Sequence, residues 1–222
     1  MFFKSFFRGK SLDGGGERVD INYFKMKLKD FDIYQLSHYH RYKFAQKYVG
    51  SDCDVADFAC GTGYGTMMMA EKAKSVTGMD LNADVVKIIS DRYKKKTSVR
   101  FLNGNLLDID FENKFDLIVS FETIEHFAES DIVQLLKQFQ KALKKGGQVI
   151  FSTPYNQEMT EGALKMGFHL TYHIVESTVA GWMKEAGFEV EDVFYQNYSE
   201  HEVVKDLDKK EFLLVVGRKS AS

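Results

Sequence analysis

The chain has little cysteine and almost no proline: two cysteines and one proline occur among 222 residues. Cys53 and Cys60 do not form a CxxC pair, and Cys60 lies in a glycine-rich stretch where a disulfide would be awkward. The scarcity excludes a small disulfide-stapled scaffold. We therefore expect a reducing compartment and a cytoplasmic location.

Long apolar runs are also lacking. No stretch approaches the ~20 apolar residues of a membrane span, and Lys4 and Arg8 interrupt the phenylalanine-rich residues 1–10 before they could form the core of a signal peptide. We expect no stable membrane insertion. Residues 1–35, which include three consecutive glycines at 14–16, are expected to form an N-terminal extension or lid.

The chain has no excess of either charge. Its 30 basic and 32 acidic residues give a formal net charge of −2, and they are mixed along the sequence. A nucleic-acid partner is not expected, because binding to phosphates needs a clustered basic surface. Hydrophobic residues make up 44% of the chain, which is enough for one sizeable core.

Apolar segments alternate with helical patterns from Asp54 onward, as in βαβ units with a parallel sheet. The pattern predicts a Rossmann-like α/β fold for residues 36–222, with helices on both faces of a seven-stranded, mostly parallel sheet. The polar segment 196–210 has no helical period, so the last strand should run antiparallel. Strands are predicted at 54–58, 75–79, 99–103, 115–120, 147–153, 188–195 and 211–217, and helices at 31–49, 63–73, 82–95, 129–144 and 176–186. The last turn of the 129–144 helix is expected to stop at Gly146-Gly147.

A glycine-rich turn follows the first predicted strand, with Gly61, Gly63 and Gly65 each two residues apart. Glycines at such a turn let the backbone approach a ligand closely, although a tight corner alone would also explain them. Asp80 ends the second predicted strand, where an acid can accept hydrogen bonds from ribose hydroxyls. A helix cap is the alternative role for Asp80.

These features together resemble the class I S-adenosylmethionine (SAM)-dependent methyltransferase family. The segment 57–63, DFACGTG, is similar to the D-x-x-x-G-x-G motif of that family, and 101–106, FLNGNL, to a later motif in which Asn105 replaces the usual acid. The resemblance covers about residues 36–218 and implies SAM as the cofactor. It also implies the cofactor-binding residues, which are Arg41, Asp57, Ala59, Gly61, Gly63, Asp80, Leu81, Asn105, Leu106 and Glu122.

A narrower resemblance concerns small-molecule and sugar methyltransferases of bacterial surface-glycan clusters. It rests on the segments 38–45, HYHRYKFA, and 121–127, FETIEHF. It implies polysaccharide biosynthesis and a sugar hydroxyl of a nucleotide-linked or glycan precursor as the methyl acceptor. An amino sugar or a small (phospho)alkanolamine is the alternative acceptor. A homodimer is compatible with the sequence.

The candidate catalytic residues follow the fourth and fifth predicted strands, because ligands of such folds bind beyond the carboxyl ends of the strands. His126 is the first candidate for the base that takes the acceptor proton, since histidine titrates near neutrality; a structural role is the alternative. His169 is the second candidate, and Tyr155 is a third polar group on this side.

The sequence disfavours several functions other than methyl transfer. His169 and His173, like Glu122 and His126, are four residues apart, but the chain has no H-E-x-x-H motif or carboxylate cluster, so no metal is expected. The glycine spacing disfavours an NAD-dependent dehydrogenase. A SAM-binding subunit without catalysis is disfavoured because Asp57, Gly61, Gly63 and Asp80, which contact SAM in the family, are intact.

Overall fold

The computed structural model describes residue 12 and residues 18–220, except for the side chains of residues 163 and 166. Most of the predicted N-terminal extension lies outside the described residues. Its described part lies against the fold: Ile21 is buried, and the Thr62 hydroxyl donates to the Val19 carbonyl over 3.1 Å.

The described residues form a seven-stranded sheet with the order β3-β2-β1-β4-β5-β7-β6. All strand pairs among the first five strands are parallel. The last strand, β7, is antiparallel to both of its neighbours, β5 and β6. The predicted fold, with a reversed last strand, is confirmed. The strands are β1 (Asp54–Phe58), β2 (Ser75–Asp80), β3 (Val99–Asn103), β4 (Phe115–Phe121), β5 (Leu143–Pro154), β6 (Phe188–Gln196) and β7 (Phe212–Lys219).

Helices cover both faces of this sheet. Side chains of a strand alternate between its faces, so Val55 and Ala56 of β1 belong to separate core clusters. Met68 of α2 packs in the cluster of Val55, and Leu135 of α4 packs in the cluster of Ala56. The helices are α1 (Ile33–Ala45), α2 (Tyr64–Met69), α3 (Ala83–Tyr93), α4 (Glu129–Ala142), α5 (Glu161–Met166) and α6 (Glu176–Glu185). No helix among the described residues is long and apolar enough to cross a membrane.

Several boundaries differ from the prediction, and those between α4 and β5 have a clear physical reason. The helix expected to end at Gly146-Gly147 ends at Ala142, and β5 begins at Leu143 rather than at residue 147. Leu143 pairs with Phe115 before the register shifts, so sheet pairing takes residues that helical periodicity assigned to α4. The short helix α5 was not predicted, since 161–166 is too short for a clear apolar period.

Helix α1 begins at a capping box. The Asp32 carboxylate accepts from the Gln35 amide over 2.8 Å, and the Gln35 side chain accepts from the Asp32 amide over 3.1 Å. The buried face of α1 carries Arg41 and Tyr42. The cap therefore sets where these two side chains enter the interior.

Asp32→Ala should lower the free energy of unfolding by about 1 kcal/mol, because the first turn of α1 loses its side-chain acceptor. Urea denaturation of both proteins would measure the change. Asp30→Ala is the matched control, since Asp30 is exposed and ends the preceding short helix. Equal stability of the Asp32 variant and the wild type would show that the cap contributes nothing.

The strand order reverses between β1 and β4, which are neighbours in the sheet. The chain leaves β1 for α2 on one face and leaves β4 for α4 on the other. Such a divergence opens a crevice beyond the carboxyl ends of the two strands. The segments after Phe58 and Phe121 line this crevice.

Candidate active site

The turn after β1 has the backbone that its glycines predict. Gly61 and Gly63 have φ angles of 51° and 75°, and Ala59 has a φ of 59°. A Cβ on Gly63 would stand 2.9 Å from the Phe101 ring. Positive φ and the close ring both favour glycine at position 63. A side chain at position 63 would therefore strain the backbone and displace the Phe101 ring.

Asp80, at the end of β2, is tied to this turn. Its Oδ2 accepts from the Gly61 amide over 2.9 Å, and its Oδ1 accepts from the Asn82 amide over 2.9 Å. The cap of α3 is Asn82, whose side chain accepts from the amides of residues 84 and 85. Asp80 therefore does not cap the helix, and the alternative role considered for it is wrong. Next to it, Leu81 is 72% exposed. Its side chain offers an apolar surface on which a planar ring of a ligand can pack.

Asp57 lies beneath the glycine turn and is fully buried. Its carboxylate accepts from the Tyr42 hydroxyl over 3.0 Å and from the Thr66 hydroxyl over 2.6 Å. Burial raises the pKa of Asp57 to about 7, and the charge of Asp80 acts in the same direction. The observed contacts of Asp57 are thus within the protein, where they hold α1 and α2 to β1.

Arg41 brings an unsatisfied guanidinium to the interior. It is fully buried, its Nε donates to Gln196 Oε1 over 2.7 Å, and its plane covers the Phe212 ring at 4.1 Å. Neither terminal nitrogen has a hydrogen bond of good geometry, although Nη1 lies 3.4 Å from Glu122 Oε1. A buried guanidinium with free N–H groups fits a carboxylate, such as the one at the methionine end of SAM.

Glu122 follows β4 in a strained conformation. Its φ is 50°, which is unfavourable for a residue other than glycine. The Ser152 hydroxyl donates to its Oε1 over 2.7 Å. Arg41 and Glu122 therefore form an ion pair. The sequence predicted both as cofactor-binding residues but did not predict their contact.

The remaining predicted cofactor residues follow β3. Leu106 is buried, whereas Asn105 is exposed. The Asn105 side chain accepts from the Leu107 amide over 3.1 Å and donates to Asp108 over 3.2 Å. Asn105 thus caps a short helical turn, and its contact with adenine stays a prediction.

The structure brings two of the predicted catalytic residues together. The rings of His126 and His169 are edge-on with their centroids 5.1 Å apart. His126 Nδ1 lies 2.7 Å from the Phe168 carbonyl, and His169 Nδ1 lies 2.7 Å from Gln157 Oε1. Burial, aided by His126, lowers the pKa of His169 to about 4. His169 is therefore neutral at physiological pH.

Tyr155, the third predicted catalytic residue, points elsewhere. Its hydroxyl donates to Glu176 over 3.2 Å, and its ring lies edge-on to Tyr195 at 5.9 Å. Among the contacts of the described residues, none joins Tyr155 to His126 or His169. The structure thus places it apart from the histidine pair.

Several residues of the site were given no role by the sequence analysis. Glu125 is one of the groups that follow the fourth strand, and in the structure it lies beside His126 and is 1% exposed. Tyr42, Thr66 and Gln196 hold Asp57 and Arg41 in place. Only the placement of Glu125 next to a candidate base gave a signal, because the other three depend on contacts between distant parts of the chain.

Comparison with known proteins agrees with this geometry. Residues 55–147 match the methyltransferase domain family. A probable S-adenosylmethionine-dependent methyltransferase of Mycolicibacterium smegmatis is 31% identical over 142 residues, covering 63% of this chain and 53% of that protein. A ubiquinone biosynthesis O-methyltransferase of Pseudomonas aeruginosa is 26% identical, covering 65% and 68%. The chain spans about half the length of the first few curated relatives that it matches.

A solved structure shares the fold. The N-methyltransferase NodS of Bradyrhizobium japonicum, in complex with S-adenosyl-L-homocysteine (SAH), superposes with a TM-score of 0.66 at 17% identity, covering 86% of this chain and 90% of that one. Fold and crevice define a Rossmann-like α/β domain. Residues 55–147 thus carry the likeness to methyltransferases, and the relatives named above include a SAM-dependent one.

Proposed function

We propose that the protein transfers the methyl group of SAM to a hydroxyl of a small polar acceptor, a sugar of a nucleotide-linked or glycan precursor. The observation that carries this proposal is the histidine pair beyond the carboxyl end of β4. The methyl carbon of a sulfonium is already electrophilic, so the protein chiefly has to hold the acceptor in line with it. A hydroxyl must in addition lose its proton, and this is where two imidazoles are useful.

The cofactor side is assigned to the residues around the glycine turn. Arg41 would hold the carboxylate of the methionine end, and Asp80 would accept hydrogen bonds from the ribose hydroxyls. Leu81 would pack on adenine with its exposed side chain. This orientation directs the methyl group toward the segment after β4, where His126 lies at the acceptor oxygen and assists the loss of its proton.

Isothermal titration should show saturable binding of both SAM and SAH, because the turn, Asp80 and Arg41 complement the nucleoside and the amino acid end of these ligands. NADH serves as the control, since it shares the adenosine but lacks the methionine end. Binding of NADH without binding of SAM or SAH would exclude the proposed cofactor site.

The acceptor would be identified by a screen with radiolabelled SAM. Nucleotide sugars, free sugars and small amines are incubated with the protein, and label in the product is counted. Label on a sugar hydroxyl is expected. Label confined to amino sugars or alkanolamines would overturn the hydroxyl assignment and retain methyl transfer.

A further inference from the structure

The crevice contains a buried carboxylate, that of Glu125. Glu125 is 1% exposed, and neither of its carboxylate oxygens has a hydrogen bond of good geometry. A buried carboxylate without a hydrogen bond is unfavourable, and a bound cation would satisfy it.

Two imidazoles stand beside this carboxylate. Glu125, His126 and His169 each offer one ligand atom, and the three atoms lie within 4.8 Å of one another. Tetrahedral zinc ligands at about 2.0–2.2 Å from the metal lie about 3.4 Å apart. Ion binding therefore has to draw these ligand atoms closer together.

Hydrogen bonds decide which ring nitrogen of each histidine is free. A carbonyl oxygen only accepts, so His126 Nδ1 donates to Phe168 and His169 Nδ1 donates to Gln157. Each Nε2 atom is then left with a lone pair. Metal-binding histidines are commonly oriented in this way, by a donor bond from the other ring nitrogen.

The backbone also fixes the three side chains relative to one another. The Glu125 carbonyl accepts from the amides of Leu170 and Thr171 over 2.7 and 3.1 Å. These bonds join the segment that carries His169 to the turn that carries Glu125 and His126. The donor set is thus held by the protein before any ion binds.

We propose that Glu125, His126 and His169 bind a divalent transition-metal cation of the zinc class and leave one coordination position for the acceptor oxygen. Two imidazoles and one carboxylate suit Zn²⁺, and three protein ligands with an open position are typical of catalytic zinc. Sequence spacing did not predict this set, because His169 follows His126 by 43 residues.

The cation deepens the proposed function, and its chemical role rests on that function. A coordinated hydroxyl has a lowered pKa and loses its proton to solvent. The oxygen then attacks the methyl carbon, and the carbon–sulfur bond breaks with its electron pair remaining on sulfur, which yields SAH. In this form His126 assists deprotonation as a ligand of the cation.

Zinc titration of the metal-free protein, without SAM or acceptor, tests the site. Saturable binding is expected, and Glu125→Gln or His169→Gln should each weaken it at least tenfold. His173→Asn is the matched control and should bind as the wild type does, because His173 is exposed. At a hundredfold excess over the dissociation constant, zinc should raise the melting temperature of the wild type by roughly 5–10 °C.

Equal zinc affinity in the wild type, Glu125→Gln and His169→Gln would overturn the proposal, as would the absence of zinc binding. Magnesium, which prefers oxygen ligands, should not displace zinc at equal concentration. SAH binding by each variant shows that it is folded. If the wild type binds SAH but not zinc, only the cation proposal is wrong. If the wild type does not bind SAH, the methyl-transfer proposal is wrong.

Discussion

Replacing His126 with alanine should lower kcat at least ~100-fold and leave the affinity for SAH unchanged. Help in removing the acceptor proton is typically worth ~10²–10⁴-fold. His126 follows β4 on the acceptor side, and its Nδ1 is already occupied by the Phe168 carbonyl. Only its Nε2 side is available for chemistry, so alanine removes the chemical group without touching the cofactor residues.

The measurement compares initial rates on the acceptor that the screen identifies, with SAH affinity from titration. His126→Gln should not restore the rate, because an amide is a poor base and a weak ligand for zinc. His173→Asn is the control, since it changes an exposed histidine that follows His169 by four residues. A lowered melting temperature with unchanged turnover per folded molecule would instead assign His126 a structural role and make His169 the next residue to test.

The fold could be predicted from the sequence because its determinants are local. Alternation of strand and helix patterns gave all seven strands, and the polar segment between the last two gave the reversed direction of β7. The prediction was wrong at the end of α4, where pairing of Leu143 with Phe115 overrides helical periodicity. Pairing between strands is a tertiary contact, and no local pattern contains it.

The cofactor site could be predicted in part. The turn with Gly61 and Gly63 and the acid Asp80 were predicted from motif and spacing, since both lie at the ends of strands. The sequence did not predict the ion pair of Arg41 with Glu122, because this contact joins α1 to the end of β4. It also did not predict that Arg41 is fully buried. The buried face of α1 is polar at Arg41, so an apolar stripe could not reveal it.

The acceptor side was the least predictable. Hydrogen bonds between two distant segments bring Glu125, His126 and His169 together, among them those from the Leu170 and Thr171 amides to the Glu125 carbonyl. Such contacts connect an irregular segment to a turn, and neither has a sequence period. Helical spacing would pair His169 with His173, whereas the structure pairs His169 with His126.

Asp80→Ala should weaken SAH binding roughly 10- to 150-fold. Hydrogen bonds to a charged acceptor contribute about 1.5–3 kcal/mol, and about 1.4 kcal/mol corresponds to a factor of ten in affinity. The side chain also holds the Gly61 and Asn82 amides, so part of the loss could come from the turn. Titration calorimetry measures the total effect, and Asp84→Ala is the control, because Asp84 is an exposed acid in the first turn of α3.

A SAH analogue that lacks both ribose hydroxyls separates the two contributions. If Asp80 binds the ribose, the wild type should lose affinity for this analogue, and Asp80→Ala should bind it nearly as well as it binds SAH. The coupling between the two changes then measures the contact itself. If the variant instead loses the same factor for SAH and for the analogue, Asp80 acts only through the Gly61 turn, and the ribose assignment is wrong.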